Sequence, residues 1–251
     1  MASDQRLLIV SPHLDDAVLS CGLLMAVHPG ATVCTVFTAP PHENMSTDWD
    51  RQSGFTDAFE AMQARKAEDV RALALLNAQP FHLPFCDAQY LSSPSNESLA
   101  AALEQMISRL KPPLLFIPMG LYHSDHTLVT DACLTVMKCH AQRPFQTYVY
   151  EDVPYRNMPG IAEERRRVLD AQGFTAYPAD AFPTEYDARH HQTKHAAIAA
   201  YQSQLRAFGP DGLAGLHSAE RYWRLDASAI VPASSSSDDR HNACSTLSSH
   251  R

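Results

Sequence analysis

Two short runs constrain this chain more than any other feature: Leu7-Leu8-Ile9-Val10 near the start and Leu114-Leu115-Phe116-Ile117 far downstream. Both are apolar at every position, the pattern of strands covered on both faces in a parallel sheet. Parallel strands need crossover connections, so such runs imply strands alternating with helices. Each run leads straight into a polar cluster. The first opens into Ser11-Pro12-His13-Leu14-Asp15-Asp16, the second into Pro118-Met119-Gly120-Leu121-Tyr122-His123-Ser124-Asp125-His126. In open α/β sheets ligands lie outside the carboxyl ends of the strands, so both clusters fall on the edge where chemistry is done.

The rest of the chain fits that architecture. Ala17 to Val27 is nearly all apolar and reads as a helix packed on the sheet, stopped by His28-Pro29-Gly30. Thr32 to Thr38 is rich in β-branched residues and reads as a second strand. The polar segment from Ala39 to Phe55 has two prolines and no periodicity, and reads as a functional loop, a candidate substrate-shaping lid. Asp57 to Leu76 has the spacing of a long amphipathic helix, and Phe81 to Pro84 that of an edge strand tolerant of proline. Helices are expected over Leu99 to Leu110, over the segment carrying Leu128 to Met137, over Glu163 to Ala171 and, as one long helix, over Ala188 to Phe208. Gln146 to Tyr150 reads as a strand. The expected fold class is therefore α/β: an open, mostly parallel Rossmann-like sheet with helices on both faces. Residues 1–230 are read as one domain and the Ser-rich residues 231–251 as a disordered tail.

Composition narrows the function classes. A chain of 251 residues with 45% apolar content and a formal charge of -8 has no clustered Lys and Arg, which argues against a nucleic-acid partner. No run approaches the about 18 apolar residues of a membrane span, and the start MASDQR lacks a secretory pattern, so a cytoplasmic protein is expected. The six cysteines form no CxxC pair; the first five read as small buried hydrophobes. Oligomeric state is left open.

Asp15 and Asp16 raise one another's pKa unless a cation or donors hold them ionised. A metal resolves the conflict. His13 and Asp16, three apart, can converge on one ion with a third ligand from elsewhere, the donor count of a catalytic zinc site with an open position. Such an ion lowers the pKa of its water toward about 7, and Asp15 is placed to accept the proton. His123 or His126 then supplies a group for the developing oxyanion, the other being the ligand.

SPHLDDAVLSCG followed downstream by HSDH resembles the PIG-L/LmbE-type metal-dependent N-deacetylases, whose motifs are typically AHPDDE or PHxDD and HxDH. The likeness extends to WDRQSGF, to Arg65-Lys66-Ala67-Glu68 and to Tyr150-Glu151-Asp152, and covers most of residues 7 to 225. It implies that His13, Asp16 and His126 are zinc ligands, with other divalent transition metals possible at the same site. It further implies Asp15 as general base, His123 as oxyanion stabiliser or acid, Asp125 as the carboxylate hydrogen-bonded to a histidine, and Arg65 as a residue near the substrate. The chain departs from the pattern at Leu14, where proline is usual, and at Ala17, where an acidic residue is usual. Some relatives carry a tyrosine two residues before HxDH; here that place is Leu121, with Tyr122 next to His123. The implied function is removal of an N-acetyl or N-acyl group from a small-molecule N-acylated glycoside. The alternatives are a metal-dependent hydrolase of another ester or amide bond, or a non-catalytic metabolite-binding protein with a structural metal. No second bridging carboxylate set is visible, which counts against two-metal phosphoester chemistry.

Other conspicuous residues read as structural. His191 and His195 are four apart, but Gln192 stands where a zincin has Glu, so they read as partly exposed helix residues, with Ala196, Ala200 and Tyr201 facing the core. Arg165-Arg166-Arg167 reads as a solvated helix face. Arg65 pairs as easily with Glu68 or Asp69 as with a substrate. Glu151 and Asp152 suit loop hydrogen bonding better than substrate contact.

Overall fold

Every position of strand β1 (Leu7–Ser11) and strand β4 (Leu114–Pro118) is buried, as continuous apolar runs require in strands with neighbours on both edges and helices on both faces. The computed structural model describes residues 7–139, 145–179, 186–213, 215, 216 and 218–227. Among these, helix α1 (Asp16–Val27) follows β1, then β2 (Thr32–Ala39), α2 (Asp48–Gln52), α3 (Ala58–Leu75) and β3 (Gln79–Cys86). Helix α4 (Asn96–Leu110) leads into β4, followed by α5 (Ser124–Cys139), β5 (Gln146–Tyr150), α6 (Ile161–Ala171), β6 (Phe174–Pro178), α7 (Ala188–Ala199), α8 (Gln202–Leu213) and β7 (Tyr222–Ala227). The Ser-rich segment from 231 onward lies outside the described residues.

The seven strands form one sheet in the order β3-β2-β1-β4-β5-β7-β6. The first five are mutually parallel, while β7 runs antiparallel to β5 and β6. From β1 the chain winds outward to β2 and β3; from β4 it winds the other way. Adjacent strands β1 and β4, paired Leu7 to Leu114 and Ile9 to Phe116, are therefore the switch point, and the loops after them open beside each other. That geometry brings two distant polar clusters together.

Alternate residues of the central strands feed two cores. Leu8, Val10, Leu115, Ile117 and Val149 pack with α4, α5 and Leu169 of α6; Leu7, Ile9, Phe116, Tyr148 and Tyr150 pack with α1, α3 and α7. Each fully buried Leu, Ile, Val or Phe side chain contributes about 1.5–3 kcal/mol, so this two-sided burial dominates the fold's stability. The edge strand β3 carries Pro80 and Pro84, which only an edge tolerates. Among the described residues no helix is long and apolar enough to cross a membrane.

Helix α1 kinks at Cys21, where the Glu220 carboxylate accepts the Leu23 and Leu24 amides and pairs with Lys194 Nζ at 2.7 Å. A Cβ on Gly22 would come within 2.8 Å of the Lys194 stem, so the close α1–α7 approach requires glycine there.

The structure corrects several expectations. The 39–55 segment is not a bare loop: it contains α2, whose Thr47 and Asp50 form a reciprocal capping box. The single helix expected over Ala188 to Phe208 is two. The chain breaks at Ala200 and Tyr201, where the Tyr201 hydroxyl donates to Asp69 at 2.8 Å. Helix α8 restarts with its Ser203 amide on the buried Glu68 carboxylate, favourable negative charge at a helix N-terminus. Ala197 and Ile198 face the core, whereas Ala196 is exposed. Arg165 is not solvated: it is buried, donating to the Met119 carbonyl and pairing with Asp131, both at 2.9 Å. Cys21, Cys34 and Cys133 are buried, but Cys86 is half-buried and Cys139 is exposed at the end of α5.

Candidate metal centre

The turn after β1 is built from its own polar groups. Ser11 Oγ donates to the His13 carbonyl at 2.7 Å and accepts the Ala17 amide at 3.0 Å, which starts α1. Asp16 folds back to accept the His13 amide at 2.9 Å, which sets its Oδ2 3.1 Å from His13 Nδ1. Asp15 is the N-cap residue of α1 yet makes no capping hydrogen bond through its side chain. Helix capping therefore accounts for neither carboxylate, and Asp15 faces a cavity instead.

The turn after β4 delivers the second set. Asp152, at the end of β5 and fully buried, accepts the Gly120 and Leu121 amides at 2.9 Å through Oδ2 and holds His126 Nδ1 at 2.7 Å through Oδ1. A Cβ at Gly120, where φ is +83°, would stand 2.6 Å from Thr130 Oγ1, so this turn requires glycine. His126 Nε2 then lies 3.1 Å from Asp16 Oδ2, buried but outside hydrogen-bonding geometry and with no hydrogen-bond partner. A buried nitrogen without a partner is costly unless something else binds it.

His13, Asp16 and His126 each present one ligand atom, all within 4.8 Å of one another. This set fits a divalent metal on the observations just given. The orphaned Nε2 lies beside the carboxylate oxygen that also neighbours His13 Nδ1, and both histidines have their other nitrogen on a carboxylate. Asp125 Oδ2 lies 3.0 Å from His13 Nε2, and Asp152 serves His126. Such partners fix ring orientation and raise ligand basicity. The candidate ligand atoms of His13, His123 and Asp125 also lie within 4.8 Å of one another, but there Asp125 already engages His13.

Electrostatics separate the two neighbouring aspartates. Burial, with the Asp16 carboxylate second, pushes Asp15 up to about 7. Burial also opposes charge on Asp16, but the His126 and His13 rings hold its carboxyl well below the usual range. Burial likewise disfavours charged histidines. Even so, Asp87, Asp125 and Asp16 carry His13 well above its ordinary value, and Asp16 and Asp152 lift His126 to about 9. His123 moves the other way: half-buried and repelled by His13 and His126, it is held below its ordinary value. Its Nδ1 accepts the Asp125 amide at 3.2 Å, so the neutral ring carries its proton on Nε2.

A cavity of about 340 Å³ opens beside these residues, lined by His13, Asp15, Asp16 and His123 together with Asp87, Tyr155, Trp49, Arg65, Gln204 and Phe208. Asp125 and His126 lie behind it. Arg65 lines the cavity but pairs with neither Glu68 nor Asp69. Its guanidinium sits 3.0 Å from the fully buried Asp50 and donates to Tyr90 and Ser53, because Glu68 and Asp69 are engaged by α8 and Tyr201. Leu121 is buried in the core and Tyr122 is 67% exposed. Asp152 takes the loop-bonding role; Glu151 accepts the Trp223 indole N–H at 3.1 Å, and its backbone amide donates to the Arg221 carbonyl at 3.0 Å. Sequence reasoning missed Asp87, Tyr155, Trp49, Gln204 and Phe208 as lining residues. Asp87, just past β3, and Tyr155, after β5, carried the signal of a strand's carboxyl end; Gln204 and Phe208 carried none.

The fold and site define a class: an α/β protein with a two-histidine, one-carboxylate donor set at the switch point of its sheet. Residues 8–137 match the family model of PIG-L, GlcNAc-PI de-N-acetylase, and the chain belongs to that family. It is 28% identical over 192 residues to the 2'-N-acetylparomamine deacetylase of Streptomyces fradiae, a match spanning 68% of this chain and 65% of that relative. The chain thus matches less than two thirds of that relative's length. Among solved structures it resembles the A40926 pseudoaglycone deacetylase Dbv21, with 25% identity, a TM-score of 0.71, and coverage of 90% of this chain and 99% of the other. A triple mutant of a deacetylase of teicoplanin biosynthesis is similar at 25% identity and a TM-score of 0.74, with the same coverage.

Proposed function

We propose that this protein is a metal-dependent N-deacylase that removes an acetyl or other acyl group from the amine of an amino sugar in a glycosylated small molecule. The observation that carries the reading is the convergence of His13 Nδ1, Asp16 and His126 Nε2 beside a cavity-lining Asp15 that no capping role explains. The family membership and the deacetylases it resembles support it. Zinc is the metal this donor set suits, and when bound it supplies Lewis acidity to a water and to the substrate carbonyl.

The chain's own residues do the remaining work. Asp15 takes the proton of the attacking water; burial raises its basicity into the range a general base needs. His123, neutral with its proton on Nε2, donates a hydrogen bond to the oxyanion as the carbonyl becomes tetrahedral. Asp15 then returns its proton to the nitrogen as the C–N bond breaks, releasing a carboxylic acid and a free amine. Asp125 and Asp152 hold the two histidines in the orientation these steps require. Arg65, anchored by Asp50, lines the same cavity and contacts the substrate.

The test is release of free amine from a panel of N-acetylated amino glycosides. Activity is expected, abolished by a chelator and restored by zinc. No amine from any of them, with the protein carrying metal, would overturn the reading.

A further inference from the structure

The cavity is lined by two unlike groups of residues. The polar group includes His13 and Asp16 with Asp15, Asp87 and His123. The other belongs to α2 and α8 and consists of Trp49, Gln204 and Phe208.

The side chains of this second group hold one another. The Trp49 indole N–H donates to Gln204 Oε1 at 3.0 Å, and the Trp49 and Phe208 rings meet at a 73° angle with centroids 5.6 Å apart. Beneath it, Asp50 is buried against Arg65 and accepts the Tyr90 hydroxyl at 2.9 Å, while Glu68 accepts from Ser203 beside Gln204. Trp49 nevertheless stays half-buried at the cavity. Its single donor is spent on Gln204, so the indole offers the cavity apolar π surface alone. An aromatic ring held in the same cavity as polar, metal-ligating residues suits a ligand with one apolar face and a polar rim, which is the shape of a pyranose. An open-chain amide has no such face.

We infer that Trp49 is the platform on which the sugar ring of the substrate lies, and that it makes the enzyme selective for N-acylated amines carried on a ring. This rests on the deacylase reading above. Gln204 is a positioning residue: its Oε1 accepts the indole N–H and orients the ring.

Two measurements on the zinc-loaded enzyme test it. With methyl N-acetyl-glucosaminide as substrate, Trp49→Ala raises KM by about tenfold or more, Trp49→Phe restores most of the loss, kcat changes far less, and zinc content is unchanged. An unchanged KM would overturn the inference. The second uses the chain's other tryptophan, Trp223, which is bound to Glu151 and stacked by Arg166. In Trp223→Phe protein, emission from Trp49 shifts saturably as glucosamine is added and does not respond to ethanolamine. No response to glucosamine, or an equal response to both amines, would also overturn it. If the wild-type enzyme releases amine from no substrate, the deacylase reading fails, and the fluorescence titration still decides the platform.

Discussion

Asp15 and Asp16 are chain neighbours of one residue type with opposite protonation behaviour. Burial raises Asp15 to about 7, whereas two imidazoles hold Asp16 far down, and environments that push paired carboxylates apart assign one to base chemistry and the other to ligation. Replacing Asp15 with Asn should therefore leave metal near one per chain and lower turnover by about 10²–10⁴-fold, read by elemental analysis beside amine release. Unchanged turnover would remove Asp15 from the mechanism. Asp152→Asn should weaken metal affinity by about 10–100-fold, measured by competition with a chromogenic chelator, since Asp152 orients His126. The histidines also give a pH signature. Their pKa values are raised in the metal-free protein, so they are protonated at pH 7 and must lose protons to bind a cation. Calorimetry in buffers of different ionisation enthalpy should show protons released on zinc binding at pH 7, with the His126 contribution fading as pH passes about 9. Their contribution to metal-free stability runs the same way: full below about 6.5, lost as pH rises through the raised values.

At the scale of elements, the polar stripe of α3 explains both what was legible and what was not. The apolar positions 58, 59, 62, 70, 73 and 76 revealed the helix, and Ala58, Met62, Leu73 and Leu76 are buried while Phe59 and Val70 are exposed; Arg65, Glu68 and Asp69 are buried too, under α2 and α8. No hydrophobic pattern announces a polar face that is covered by ion pairs. Two of these three residues, Glu68 and Asp69, hold the break between α7 and α8, so that break was invisible for the same reason. Strands β6 and β7 went unread because they lie on the antiparallel side, where β7 buries only Tyr222 and Leu225 and β6 only Phe174, leaving no apolar run. Asp50→Ala would leave the Arg65 guanidinium buried and unpaired; denaturant unfolding should show a loss of about 3–5 kcal/mol. A loss near zero would mean that α2 is not anchored by this pair.

For the whole molecule, the central sheet was legible because its strands are buried on both faces and leave uninterrupted apolar runs, as Leu7 to Val10 and Leu114 to Ile117 do. Pairing of β1 with β4 then made the meeting of His13 and His126 a consequence of topology. Asp152, Asp87 and the Trp49 wall were not legible to the same degree, because their roles depend on which loops the sheet order places side by side. An ion bound only by the folded sheet also stabilises it: zinc at about 100 times its dissociation constant should add about 2.7 kcal/mol, seen as a higher Tm that a chelator reverses. The most direct measurement is an anomalous difference map from zinc-containing crystals. The account predicts one peak about 2.0–2.2 Å from His13 Nδ1, an Asp16 oxygen and His126 Nε2. A peak bonded to other residues, or none at this site, would contradict it.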